Sequence, residues 1–240
     1  MSFLSVRKLV KIYRGRKVVN AVNIELESGD VIGLLGPNGA GKTTTFYMTI
    51  GMVKPDEGHV YLADMEITDL PMYQRARRGL GYLPQESSIF RKLTVKQNIM
   101  VILESMPLSR AERKERADQL LDELGIKRLS DQRANVLSGG ERRRLEIARC
   151  LVTNPSFILL DEPFAGIDPL AVIDIKKIIA HLKSRGIGIL ISDHNVRETL
   201  EACDKAYILN DGQVIESGSP EKIAQSEIAR RIYLGDEFRL

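Results

Sequence analysis

The chain has 240 residues, room for one large domain or two small lobes with a substantial core. Its composition, 43% hydrophobic and 28% charged, is ordinary for a globular protein. With 35 basic and 32 acidic residues the net charge is +3, too close to balance to mark a nucleic-acid binder, and no direct nucleic-acid contact is expected.

In chain order, "LSVRKLVKIY" and "VVNAVNIELE" read as strands joined by the turn "RGRK". The opening "MSFLSVRKLVKIY" alternates basic and apolar residues and lacks the apolar segment of a signal peptide. No run approaches the roughly 20 apolar residues of a membrane helix, so the chain is expected neither to span a membrane nor to be exported by that route. "VIGLLG" is a short buried strand, followed after Lys42 by a helix to about Gly51; "HVYLAD" and "LGYLP" are further strands.

From about Thr94 the character becomes helical. "TVKQNIMVILES" and "SRAERKERADQLLDELGI" are separated by Pro107, and Ser109 with Glu112 fits a capping box. Strand–helix alternation then returns: helix 139–153, strand "FILLD", helix 169–184, strand "GIGILIS" and helix 195–201. Two short strands, "KAYILN" and "GQVIES", and short helices close the chain. This pattern predicts one α/β domain over 1–240, with a mostly parallel sheet covered on both faces and an inserted helical lobe at about 94–150. Cys150 and Cys203 lack metal-type spacing and read as buried thiols, and His59 and His181 as surface residues.

The first chemical signal is "GPNGAGKTTT". Gly36, Gly41, Lys42 and Thr43 satisfy G-x-x-x-x-G-K-[ST], after an apolar strand and before a helix. In the loop Gly36, Pro37, Asn38, Gly39, Ala40, Gly41, Lys42, Thr43 and Thr44, backbone N–H groups would cradle the phosphates. Lys42 would pair with the β- and γ-phosphates, and the Thr43 hydroxyl would ligate Mg²⁺. "FILLDE" ends an apolar strand in two carboxylates: Asp161 to hold magnesium through its water shell, Glu162 to orient or deprotonate the attacking water. A guanine-reading N-K-x-D is missing, which sets a GTPase aside, and no acceptor pocket for a kinase is identifiable.

The second signal is "LSGGE", a serine–glycine turn at the start of an amphipathic helix and therefore another anion site. Downstream of a phosphate loop and just before "FILLDE", it resembles the signature of ATP-binding-cassette (ABC) ATPases. Gln85 in "LPQE", Gly166-Ile167-Asp168 and His194 in "ISDHN" follow the family's order. The resemblance covers essentially the whole chain and implies a P-loop ATPase using ATP and Mg²⁺, with a mixed, mostly parallel core, an antiparallel β part and a helical subdomain.

It further implies a head-to-tail homodimer in which Ser138, Gly139 and Gly140 of one copy cap the γ-phosphate held by Lys42 of the other. Tyr13 would stack on adenine, Gln85 would touch magnesium and the attacking water, His194 would contact the γ-phosphate, and Asp168 would link the two sites. Within the family the likeness is nearest to the ATPase subunits of lipopolysaccharide-export transporters. "RARRGLGYLPQESSIFRKLTV", "FILLDEPFAGIDPLAVIDIK" and "RIYLGDEFRL" are among the stretches that carry it. That implies a dimer bound to two polytopic membrane subunits on the cytoplasmic face of an inner membrane, with Phe90 and Arg91 at the docking site. The readings weighed against it are the ATPase of another transporter, such as an amino-acid importer, and a cassette ATPase acting on DNA or ribosomes. A structural nucleotide-binding module is the third. The last two are disfavoured by the absence of sustained heptads and by the presence of Glu162 and His194. The roles of Arg142–Arg144 and of the apolar tail stay open at this level.

Overall fold

Alternating apolar residues at the N-terminus build a hairpin, β1 (Phe3–Tyr13) and β2 (Arg16–Glu27), paired from Phe3 opposite Glu27 to Tyr13 opposite Arg16 with register shifts between Val6 and Ile12. The computed structural model describes residues 2–235 and 237–240, so the positions of Met1 and Asp236 in the readings above lie outside the described residues. β3 (Val31–Leu35) runs into α1 (Lys42–Ile50); β4 (Glu57–Leu62) and β5 (Met65–Glu66) precede α2 (Met72–Arg77) and β6 (Leu80–Leu83). The helical stretch comprises α3 (Val95–Leu103), α4 (Arg110–Glu123) and α5 (Gly139–Leu151). β7 (Phe157–Asp161), α6 (Pro169–Ser184), β8 (Gly188–Ser192), α7 (Val196–Ala202), β9 (Lys205–Asn210), β10 (Gln213–Gly218) and α8 (Pro220–Gln225) follow.

The strands form two sheets. One is antiparallel, in the order β2-β1-β4-β5. The other has the order β10-β9-β3-β8-β7-β6, parallel except for β10. β3, β7 and β8 are buried at every residue, as strands covered on both faces must be. Their side chains alternate between two cores. Ile158, Leu160, Ile189 and Ile191 face the helical side, where α3–α6 pack, whereas Phe157, Leu159 and Leu190 face α1 and the antiparallel sheet. The helical stretch therefore has no separate core: Leu103, Leu120 and Leu145 share one apolar cluster with the sheet.

Helix starts follow their chemistry. Thr94 with Gln97, Ser109 with Glu112, and Ser138 with Glu141 all form capping boxes. α6 opens on Asp168, whose carboxylate accepts from Ala171 N–H at 2.9 Å, followed by Pro169.

One buried cation closes the far end of α1. The Arg75 guanidinium donates to the carbonyls of Met48 (2.8 Å) and Thr49 (2.6 Å) at the helix C-terminus, and to those of Thr68 and Leu70. Burial lowers its pKa to about 10. Cys203 is buried, the Cys150 thiol packs against β6 at Gly81, and burial raises both thiols to about 12. His59 and His181 are exposed and lie beside Glu66 and Glu123. In the tail Tyr233, Leu234 and Phe238 pack against the helical-side core. Among the described residues no helix is long and apolar enough to cross a membrane.

Candidate nucleotide site

The loop from Gly36 to Thr44 bridges the end of β3 and the start of α1. Two of its glycines are required by space as well as by backbone. Gly36 has φ +147° and a Cβ there would lie 2.1 Å from the Leu209 carbonyl; Gly41 has φ +101° and its Cβ would lie 2.5 Å from the Val18 carbonyl. α1 starts after Gly41 with no side-chain cap, so its first-turn amides are left for an anionic ligand. The Lys42 ammonium folds back over the loop and donates to the carbonyls of Gly36 (2.6 Å) and Pro37 (3.0 Å). Burial lowers its pKa, opposed by the carboxylates of Glu162 and Asp161, which places all three groups in one electrostatic neighbourhood.

β7 delivers the carboxylates. Asp161 is only 3% exposed, and burial raises its pKa to about 6. Its Oδ2 accepts from the Tyr82 hydroxyl at 3.2 Å. Glu162 takes a left-handed conformation, φ +46°, unusual for a side chain of its kind, while its N–H donates to the Ser192 carbonyl of β8 at 2.6 Å. That twist takes its side chain out of the strand alternation. Glu162 Oε2 accepts from Gln85 Nε2 at 2.8 Å and lies 3.3 Å from His194 Nδ1. Behind His194, the buried Asp193 carboxylate accepts from the backbone N–H groups of Phe164 (2.9 Å) and Asn195 (2.8 Å), fixing the loop after β8.

The residues expected to act together thus converge: Lys42, Gln85, Asp161, Glu162 and His194. Tyr13 ends β1 as a residue 46% exposed, with the Lys11 ammonium 5.5 Å from its ring centre. Ser138, Gly139 and Gly140 stand apart: no hydrogen bond or ion pair among the described residues ties them to the Gly36–Thr44 loop. Ser138 Oγ is engaged with Glu141, accepting from its N–H at 3.3 Å and donating to its carboxylate at 3.0 Å. Gly140 admits no side chain, because a Cβ would meet that of Ala171 at 2.9 Å where α5 crosses α6. A cleft of about 130 Å³ joins this turn to the other elements, lined by Gln85, Gly139, Arg142, Arg143, Gly166 and Ile167.

The arginine run resolves into three different roles. Arg144 pairs with Asp174 and Arg142 donates to the Leu137 carbonyl. Arg143, 6% exposed, turns inward and binds the carbonyls of Pro84 (3.0 Å), Asp161 (3.0 Å) and Glu162 (3.1 Å), with Glu146 as its counter-ion at 3.1 Å. One guanidinium therefore joins the helix of the LSGGE turn to the carboxylate pair and to the residue before Gln85. Sequence reading did not single out Arg143; its spacing from Gly140, Glu146 and Ile147 on the buried face of α5 was the available signal.

Phe90 is 46% exposed, with the Arg149 guanidinium 4.9 Å from its ring centre. Its backbone is pinned by the fully buried Asn98, which accepts from Phe90 N–H at 2.8 Å and donates to its carbonyl at 3.1 Å. Arg91 beside it is exposed. Asn98 was also missed, since a single polar residue in an apolar helix carries no motif.

Comparison with known proteins agrees with this geometry. Residues 19–165 match the family model described as "ABC transporter". The chain is 56% identical to the "Lipopolysaccharide export system ATP-binding protein LptB" of Acidithiobacillus ferridurans, covering 99% of this chain and 98% of that one. It is 55% identical to the protein of the same name from Escherichia coli K12, covering 100% of both. Among solved structures, the ADP conformation of MJ1267, "an ATP-binding cassette of an ABC transporter", superimposes with a TM-score of 0.89 at 30% identity, over 98% of this chain and 100% of that one. The chain belongs to the ABC transporter family, as one of its ATP-binding and ATP-hydrolysing cassettes.

Proposed function

We propose that the chain is the ATP-hydrolysing subunit of a lipopolysaccharide-export transporter, working as a homodimer on the cytoplasmic face of an inner membrane beside two polytopic membrane subunits. The observation that carries this reading is the 54–56% identity, over essentially the whole length, to proteins named for that export system.

In this reading the loop amides from Asn38 to Thr44 bind the phosphates. Lys42 exchanges its bonds to the Gly36 and Pro37 carbonyls for bonds to the β- and γ-phosphates. Tyr13 stacks on the adenine. Glu162 takes the proton of the attacking water, with Gln85 and His194 placing it. The donor set fits magnesium: the Thr43 hydroxyl, the Gln85 side chain and the Asp161 carboxylate can each offer oxygen. Burial of Asp161 without enough positive charge is what raises its proton affinity. When bound, magnesium would neutralise charge on the phosphates. Thr43, Gln85 and Asp161 would hold it.

Separation of Ser138–Gly140 from the chain's own phosphate loop supports a composite site, in which these residues face the nucleotide of a second copy and Asp168 connects the two sites. The stretch 94–150 acts as the helical subdomain that presents Phe90 and Arg91 to the membrane subunits. The test is purification of the tagged chain from its own membranes after depletion and complementation. Two polytopic proteins should copurify, and depletion should leave newly made lipopolysaccharide in the inner membrane. Copurification with a different permease and normal lipopolysaccharide export would overturn the reading.

A further inference from the structure

The serine of the LSGGE turn is held by a carboxylate of its own helix. Glu141 Oε2 accepts from both donors of Ser138, its N–H at 3.1 Å and its hydroxyl at 3.0 Å. The other oxygen, Oε1, accepts at 3.3 Å from the guanidinium of Arg128, in the short helical turn Lys127–Leu129 that follows α4. Among the described residues Arg128 is the only cation paired with Glu141. Arg142 donates to the Leu137 carbonyl, Arg143 pairs with Glu146 and Arg144 with Asp174. Ser138, Gly139 and Arg128 are exposed, so turn and ion pair share one open surface.

A hydroxyl has one proton to donate. A phosphate oxygen reaching Ser138 from outside must compete with Glu141 for it, and meets the negative charge of the carboxylate at the same place. Arg128 draws on the oxygen that Ser138 does not use and offsets that charge. We propose that Glu141 is an internal rival of the second copy's γ-phosphate for the Ser138 hydroxyl. Arg128 is a positioning residue that weakens the rival and so eases the closure of two copies on ATP. The inference rests on the composite site proposed above.

The test measures ATP-driven dimerisation of the full-length chain carrying Glu162→Gln, by sedimentation in low and in high salt. A symmetric dimer holds two such turns, so each change enters its dissociation constant twice. Glu141→Gln keeps the cap, since glutamine also serves at this helix position, but removes the charge. It should tighten the dimer roughly tenfold in low salt and less in high salt. Arg128→Gln should loosen it roughly fourfold, as loss of an exposed ion pair at each site would, and Arg128→Lys should recover most of that. In the chain that already carries Glu141→Gln, Arg128→Gln should change nothing, because the charge it answers is gone. Arg128→Gln loosening the dimer equally in both chains would show Arg128 acting on nucleotide or partner directly and overturns its role. A dimer unchanged or weakened by Glu141→Gln, or a Glu141→Gln chain that does not fold, makes the carboxylate a structural cap and overturns the rivalry. No ATP-driven dimer in the reference chain, or an equally tight one with Ser138→Arg, overturns the composite site itself.

Discussion

Gln85 Nε2 donates at 2.8 Å to the same Glu162 oxygen that lies 3.3 Å from His194 Nδ1. One carboxylate oxygen is thereby shared between the segment after β6 and the loop after β8. Glu162→Gln replaces the acceptor with an amide of nearly equal shape. It should bind ATP normally and hydrolyse it about 10²–10⁴-fold more slowly, as loss of a general base commonly does. Single-turnover hydrolysis beside calorimetric ATP binding checks this; a rate within about twofold of wild type would remove Glu162 from the base role.

Arg143→Met leaves three strand-end carbonyls without their shared donor and Glu146 without its counter-ion. Loss of one partner from a buried ion pair typically costs about 3–5 kcal/mol. Urea unfolding should show a destabilisation of that order. Adding Glu146→Gln should recover part of the stability but not the hydrolysis rate, because the carbonyls of Pro84, Asp161 and Glu162 stay untethered.

The buried Asp161 carboxylate gives a pH signature. Its folded pKa, about 6, lies above its ordinary value near 4, so the folded chain holds this proton more tightly than the unfolded chain. Its contribution to stability is fully present below about pH 4 and is lost as pH rises through about 6. Asp161→Asn, without metal or nucleotide, should therefore match wild type at pH 4 and exceed it by on the order of 1–2 kcal/mol at pH 7.5. Equal stability at both pH values would show that the carboxylate is well solvated.

Phe90→Ala removes an exposed ring that contacts Arg149 but no residue of the phosphate site. The isolated ATPase should keep its melting temperature within about 2 °C, as a surface truncation does. Association with the membrane subunits should weaken by about 2 kcal/mol or more if the ring is a buried anchor there. A complex that survives purification unchanged would remove Phe90 from the docking surface.

How much of this was legible in the sequence depends on whether a residue's role is local. The phosphate loop, the carboxylate pair and the capping box at Ser109 were readable because each is a short pattern with its own strand or helix context. The α/β order of the core was readable because fully buried strands are short apolar runs. Arg143, Tyr82 and Asn98 were not, since each has a partner far along the chain, Pro84, Asp161 and Phe90 respectively, that no short motif names. The run Arg142–Arg144 shows the limit well. Three identical side chains succeed one another round the helix, and which one turns inward follows from the buried face that Gly140, Glu146 and Ile147 define on α5. The box between Ser138 and Glu141 was overlooked for another reason: the S-x-x-E spacing sits inside a motif already explained by phosphate binding.

Arg75 makes α1 something more than a platform for phosphates. The helix is gripped at one end by whatever occupies the loop and at the other by a guanidinium bonded to its last carbonyls. The same guanidinium holds the carbonyls of Thr68 and Leu70, and the chain from there runs through α2 and β6 to Gln85. The parts are joined like a piston and its connecting rod: one side chain ties the end of α1 to the stretch that leads into α2. Arg75→Leu would cut the rod and leave the carbonyls of Met48, Thr49, Thr68 and Leu70 without their shared donor.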